Sequence, residues 1–563
     1  MDDDAVGRRA LLRLGAGAGV ALVASGALAA CKDGGPGAKP PPTTPPATPP
    51  TDAAVAIAPA RDLEEATIAE LQARMAGGTE TARSLVDKYR ARIAALDGAG
   101  PTLRAVLELN PDADAIADQL DAERRAGKVR GPLHGIPVLV KDNIDTGDRM
   151  TTTAGSLALE GTRAARDAPL VARLRAAGAI ILGKTNLSEW ANFRGLGSSS
   201  GWSGRGGQCR NPYALDRSPS GSSSGSAVAV AASLCAVAVG TETDGSITSP
   251  ASCNGLVGLK PTVGLVSRTG VIPIAASQDT AGPMARTVSD AAALLTALAG
   301  ADPDDPSTTV AHPRRPAADT DYARYLDPRA LAGARLGVPR AGFFGVNRNV
   351  DAIMTAALAQ LAALGAVLVD PADLVVPPEL NPAELTVLAA ELEVYLDAYL
   401  AGRGADVAVR SLADVIAFNQ RHADRELELF GQELFAMATG QGGLADPAYV
   451  AARALCLRIA RDQLLDKVLA DHHLDAFVTA TSAPAWLIDP INGDAVFGPS
   501  ATTLPAIAGY PHVTVPAGAY RGLPVGLSFF GPAFSDGALL GYAYAFEQAT
   551  RHRRPPGFLP TAG

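Results

Sequence analysis

From Asp62 onward the apolar positions switch between two spacings. Leu85, Val86, Tyr89, Ile93 and Leu96 recur at three- and four-residue intervals, which predicts a helix with one buried stripe. Just upstream, Thr67-x-x-Glu70 has the form of a capping box and marks another helix start. Gly135-Ile-Pro-Val-Leu-Val-Lys141 is a short apolar run and predicts a strand that ends in a lysine. Ala179-Ile-Ile-Leu182 predicts a second buried strand, fed by a helix carrying Leu170, Val171 and Leu174. Arg194 to Gly225 is dense in Gly and Ser and predicts loop. Ser226 to Ala238 is almost wholly small and apolar, which predicts a helix buried on all sides. Residues 301–320, rich in Pro and Asp, predict an exposed segment, and residues 350–470 read as mostly helical. Strands return at Ala476-Phe-Val-Thr, Val513-Thr-Val and Val525-Gly-Leu-Ser-Phe. With no internal repeat and no linker after Ala60, residues 61–563 predict one α/β body with a helical insertion.

The first sixty residues follow a different logic. Arg8-Arg9 precedes a small, apolar run from Leu14 to Ala30, closed by Leu28-Ala-Ala-Cys31. Twin arginines before such a run indicate a Tat-type export signal, and Leu-Ala-Ala-Cys resembles a lipobox. Residues 1–30 therefore read as a Tat-type lipoprotein signal peptide, with Cys31 as the lipidated residue after cleavage. Residues 31–60, rich in Pro, Thr and Ala, read as an extended tether. The expected location is periplasmic or lipid-anchored to the bacterial envelope, with membrane contact only through Cys31.

Composition narrows the partners. Of 563 residues 47% are hydrophobic and 19% charged, so a large core forms and disorder is excluded for the body. The net charge is −9 and no Lys/Arg run follows a helix face, which argues against nucleic acid. Cys209, Cys235, Cys253 and Cys456 form no CxxC pair, so no zinc site and no disulfide are predicted. No HxxxH pattern occurs, and the adjacent His472 and His473 read as surface residues.

Three motifs compete for the chemistry. Gly178-Ala-Ile-Ile-Leu-Gly-Lys-Thr185 matches the P-loop pattern letter for letter, yet Ala-Ile-Ile-Leu prefers a buried strand to a phosphate cradle. Gly221-Ser-Ser-Ser-Gly225 matches a nucleophile elbow, but the preceding Asn211-to-Ser220 stretch is polar and turn-forming rather than a strand. A Ser-His hydrolase would also need His512 or His472 as its base. The third constellation spans more of the chain: Lys141 at a strand end, Ser222 in the Gly/Ser loop, and Gly240-Thr-Glu-Thr-Asp-Gly-Ser246-Ile.

Together with Gly183-Lys-Thr-Asn-Leu-Ser-Glu-Trp190, Gly258-Leu-Lys-Pro-Thr262 and Asp279-Thr-Ala-Gly-Pro-Met284, this constellation resembles the amidase-signature family, in family order from about Asp62 to the end. The resemblance implies a single catalytic domain with the amidase-signature fold, a large mixed β-sheet covered by helices on both faces. It implies Ser246 as nucleophile, Ser222 as a bridging serine after a cis peptide bond, and Lys141 as the base, with Gly221 and Ser223 supporting. The chain departs from the commonest family pattern in two segments: the loop reads Ser220-Gly-Ser-Ser-Ser224-Gly-Ser226 where Gly-Gly-Ser-Ser-Gly-Gly-Ser is usual, and Glu242, Asp244 and Thr248 stand where Asp, Gly and Arg are usual. Gly240-Thr-Glu-Thr-Asp-Gly-Ser-Ile-Thr248 is similar to the bacterial peptide amidases, which remove C-terminal amides.

These residue types suit that chemistry. A serine hydroxyl attacks only when a base takes its proton. Burial among neutral serines disfavours the ammonium and lets Lys141 act as that base, with Ser222 relaying the proton. Asp142 would oppose this if it faced inward, so it is expected to point away. The backbone N–H groups of Thr243, Asp244, Gly245 and Ser246 are placed to form an oxyanion hole. The expected reaction is hydrolysis of a carboxamide, in a peptide or a small amide, without metal or organic cofactor. Alternatives are a glutaminase resembling the A-type component of an aminoacyl-tRNA amidotransferase, or a non-catalytic amide- or peptide-binding lipoprotein. The sequence leaves the oligomeric state open.

Overall fold

The computed structural model describes residues 61–563 apart from 318, 405 and 406. The signal segment and tether expected over residues 1–60 lie outside the described residues.

The strands are β1 (Val106–Leu109), β2 (Pro137–Lys141), β3 (Ile180–Thr185), β4 (Trp202–Ser203), β5 (Gly207–Gln208), β6 (Val237–Glu242), β7 (Val257–Lys260), β8 (Thr280–Ala285), β9 (Arg335–Gly337), β10 (Val367–Val369), β11 (Ala476–Ala480), β12 (His512–Tyr520) and β13 (Leu523–Phe530). Eleven of them form one mixed sheet in the order β1-β3-β2-β6-β8-β7-β12-β13-β11-β9-β10, while β4 and β5 make a separate hairpin. The group β3-β2-β6 is parallel, and β8 turns antiparallel against β6. Every residue of β2, β3, β6, β7, β8, β11 and β13 is buried. Successive side chains point to opposite faces, so this continuous burial means that both faces are covered. The result is a single domain with helices packed over the sheet.

The helices begin where the sequence pattern places them. Thr67 accepts from the Glu70 N–H, and Glu70 reaches back to the Thr67 N–H at 2.8 Å, completing the capping box. Helix Ala82–Leu96 buries Leu85, Val86, Tyr89, Ile93 and Leu96. All four described cysteines are buried and free.

Two expectations are corrected. The fully buried helix is Ser224–Ala231, not Ser226–Ala238; the chain turns after Ala231, and Val237–Glu242 is strand β6. Small residues carry no signal distinguishing the two, and the β-branched Val237 and Val239 pair with β2 and β8. The Pro/Asp-rich segment 301–320 is not simply exposed. Asp302 and Asp305 are buried as acceptors for Ser267, Thr269 and the Arg268 guanidinium. The described residues of 350–470 are mostly helical, as expected, with only the short edge strand β10 among the helices.

The fold places the site. The register Val138↔Val237 through Val140↔Val239 brings the carboxyl ends of β2 and β6 side by side, the position where open α/β sheets hold their ligands. Helix Leu380–Ala401 of the insertion buries Leu388, Leu392 and Leu396 in a cluster with Trp190, Ile272 and Ile274. The insertion thus roofs the carboxyl ends of these strands.

Candidate active site

Lys141 is the last residue of β2 and is fully buried. Its Nζ lies 2.7 Å from Ser222 Oγ, 2.8 Å from Thr241 Oγ1 and 3.2 Å from the Thr241 carbonyl. These contacts fit a neutral amine: two N–H groups for the Thr241 oxygens and one lone pair for the Ser222 hydroxyl. Burial pushes the amine down to about 7, partly opposed by the carboxylates of Glu242 and Asp279.

Asp142 turns away, as alternation along a strand requires. Its Oδ2 accepts from Thr153 and approaches Arg205 at 3.4 Å.

Ser222 follows a cis peptide bond from Gly221. A Cβ on Gly221 would lie 2.2 Å from Ser188 Oγ, so only glycine fits there. The Ser222 carbonyl accepts from the Ser188 N–H at 3.1 Å. Ser223 fastens the loop to β6: its hydroxyl donates to the Thr241 carbonyl at 3.0 Å and accepts from the Thr241 N–H at 3.1 Å. Its N–H donates to the Ser246 carbonyl at 3.0 Å. The serine loop, Thr241 and Ser246 are therefore clamped together by backbone and hydroxyl bonds.

Ser246 is 8% exposed, more accessible than the fully buried Lys141 and Ser222. It sits between β6 and the helix Thr248–Cys253. Gly245 adopts φ 80°, a left-handed turn that favours glycine. Among the described residues no acceptor bonds the N–H of Asp244, Gly245 or Ser246, so these donors remain open to a substrate oxygen. Thr243 Oγ1 donates to Asp279 Oδ1 at 2.5 Å, and Asp279 Oδ2 accepts from the N–H of Ile274 and Ala275. Burial raises the Asp279 carboxyl to about 6.

The departures from the commonest family pattern find structural roles. Glu242 Oε2 accepts from the N–H of Ile247 at 2.8 Å and of Thr248 at 2.9 Å, holding the turn that carries Ser246. Asp244 accepts from Thr503 Oγ1 at 2.8 Å. Burial raises its carboxyl and that of nearby Glu384, which comes from the insertion and bonds Gln278.

The competing motifs lose their chemistry. Lys184 of the P-loop look-alike lies within β3, its Nζ donating to the Ile144 carbonyl at 2.7 Å and to Thr152 at 2.9 Å. His512 is buried in β12 against Ser528, with desolvation pushing it down to about 3, and His472 is exposed. Neither histidine bonds the serine loop. Among the described residues no group of His, Cys, Asp and Glu is arranged to hold a metal.

Sequence reasoning missed Thr241, Asn143 and Glu384. Asn143 Nδ2 donates to Thr241 Oγ1 at 3.0 Å, orienting the hydroxyl that holds Lys141. Thr241 and Asn143 flank the motif residues and were open to inspection; Glu384 lies in a helix with no motif at all.

Comparison with known proteins identifies the family. The amidase family model matches residues 84–540. The peptide amidase PAM, solved with the competitive inhibitor chymostatin, is 54% identical with a TM-score of 0.85, covering 88% of this chain and 100% of that one. The native peptide amidase of Stenotrophomonas maltophilia is 53% identical with a TM-score of 0.83, covering 88% and 99%. A probable amidase of Arabidopsis thaliana is 41% identical over 88% of this chain and 92% of its own length. A glutamyl-tRNA(Gln) amidotransferase component from Halorhodospira halophila is 38% identical over 88% and 100%. The chain belongs to the amidase-signature family and is a hydrolase acting on amides.

Proposed function

We propose that this amidase hydrolyses the C-terminal carboxamide of peptides, or of related small amides, to a carboxylate and ammonia through an acyl-enzyme on Ser246. The observation that carries the reading is the fully buried Lys141 amine, 2.7 Å from Ser222 Oγ. The peptide amidases with 54% and 53% identity support the substrate class.

In this mechanism the Ser222 hydroxyl passes its proton to the Lys141 lone pair while accepting the proton of Ser246. Ser246 Oγ then forms a bond to the carboxamide carbon, and the carbonyl oxygen gains negative charge facing the open N–H groups of residues 244–246. Each such donor is worth about 10²–10³ in rate. Collapse breaks the C–N bond, and the proton returns along the same hydroxyl to the departing NH₂, releasing ammonia. Water adds to the ester by the same relay, freeing the carboxylate and restoring Ser246.

The test is ammonia release from amidated peptides, free amino-acid amides, aryl amides and glutamine, with wild type and Ser246→Ala. Amidated peptides should be the best substrates, and Ser246→Ala should lose turnover while keeping its fold. Residual activity above about a hundredth of wild type removes Ser246 as the nucleophile. Preference for glutamine would favour the amidotransferase-like reading. The proposal includes export with a lipid anchor at Cys31; Cys31→Ala should then move the protein from the membrane fraction to the soluble one.

A further inference from the structure

A cleft that includes Asn143, two residues beyond Lys141, carries two unsatisfied polar atoms on its wall. It is lined by Asn143, Trp190, Ile272, Ile274 and Leu392. Asn143 and Trp190 are only 2% and 4% exposed, yet Asn143 Oδ1 and Trp190 Nε1 have no hydrogen-bond partner. A buried acceptor and a buried donor left unpaired are costly, and such sites call for a ligand.

The surrounding bonds tie this cleft to the reacting groups. Asn143 Nδ2 donates to Thr241 Oγ1, the same hydroxyl that lies 2.8 Å from Lys141 Nζ. The Asp279 carboxylate that holds Thr243 also holds the N–H of Ile274 on the opposite wall. Trp190, Ala191 and Asn192 take successive positive φ values of 49°, 53° and 72°, a strained run that turns the indole into the cleft wall. That run is held by the Trp190 N–H on the Ala154 carbonyl at 3.0 Å and by the indole edge against Phe435. Leu392 closes the cleft from the insertion.

An apolar wall with one donor and one acceptor matches a secondary amide flanked by a hydrocarbon side chain. Resting on the amidase reading above, we propose that this cleft takes an apolar side chain of the residue bearing the scissile carboxamide. Asn143 Oδ1 accepts the N–H, and Trp190 Nε1 donates to the carbonyl, of the peptide group that precedes that carboxamide. Specificity then resides in both halves: Ile272, Ile274 and Leu392 select the side chain, and the polar pair selects a peptide over a bare amide.

The experiment measures kcat/KM for ammonia release from three substrates: N-acetyl-leucinamide, N-acetyl-glycinamide and 4-oxopentanamide. The last replaces the N–H of N-acetyl-glycinamide by CH₂. Wild type should prefer the leucine over the glycine substrate, and the glycine substrate over 4-oxopentanamide, each by about 10-fold or more. Trp190→Phe keeps a ring against Phe435 but deletes the indole N–H, and should raise KM for both acetylated substrates by about 10-fold. Leu392→Phe narrows the cleft from another element and should erase the preference for leucine over glycine. An unchanged KM in soluble Trp190→Phe, an unchanged leucine preference in soluble Leu392→Phe, or a wild type indifferent to the N–H overturns the subsite. If wild type releases no ammonia from any of the three, it is the peptide-amide reading that fails. If it releases ammonia with equal preference across them, the subsite alone falls.

Discussion

Lys141 sets stability against function, and Lys141→Met separates them. Burial moves the amine from its ordinary 10.5 to about 7. At about 1.4 kcal/mol per tenfold change in proton affinity, burying the ammonium costs about 5 kcal/mol. Below pH 7 the folded and unfolded chains both hold the proton, so the full cost is present. Between about 7 and 10.5 the folded chain has lost the proton and the unfolded chain keeps it, so stability rises with pH. Above that window the cost is gone. Methionine has no charge to bury but leaves Ser222 Oγ and both Thr241 oxygens without Nζ. Those lost bonds offset about 3 kcal/mol, at about 1 each. Lys141→Met should therefore be more stable than wild type by about 1 kcal/mol at pH 7 and less stable at pH 9, with the sign changing near pH 8. The assay is urea or thermal unfolding of both proteins from pH 6 to 10, beside the pH dependence of wild-type kcat/KM. Wild-type kcat/KM should fall about tenfold per pH unit below 7 and level off above it, and the variant should be inactive. A stability difference that stays flat from pH 7 to 10 would mean Lys141 keeps its proton, and the base mechanism would be wrong.

Other consequences are as specific. Asp279→Asn removes a carboxylate that favours the charged amine, so the acid limb of kcat/KM should move to lower pH; an unmoved limb would separate Asp279 from Lys141. Gly221→Ala drives a Cβ to 2.2 Å from Ser188 Oγ and should lower kcat by about 10² with the fold intact by circular dichroism. Adding Ser188→Ala leaves the nearest remaining Ser188 atom, Cβ, at 3.4 Å and should restore part of the rate; no rescue would place the damage elsewhere. Asp244→Gly keeps the backbone donors and loses the Thr503 contact, so it should change the ranking of amides more than the rate on the best of them. An identical ranking across the substrate panel would leave the Asp244 side chain without a role in selection.

What the sequence could reveal depended on whether the determining contact was local. Strand β2 was legible because a short apolar run between a glycine and a lysine admits little else. Lys141 and Lys184 both end or sit in buried strands, and both lose proton affinity to burial. Period alone cannot separate them. The difference is made by partners: Lys184 meets a carbonyl and a threonine, whereas Lys141 meets Ser222, a residue 81 positions away. Within the sequence only motif order links those two. The boundary between helix Ser224–Ala231 and β6 was hidden because Ala and Val serve equally in a buried helix and a buried strand, and pairing with β2 decides. Glu384 was invisible for a stronger reason. It lies on a long helix apolar nearly all round, and nothing in that helix says that one turn reaches the Asp244 side. The motif residues are thus written in short segments near the strand ends, while Leu392 and Glu384 come from a distant helix whose sequence need satisfy only packing. Reaction type is for that reason more readable from this chain than selectivity, which in the proposed subsite depends on Leu392 of the insertion as well as on Asn143 and Trp190.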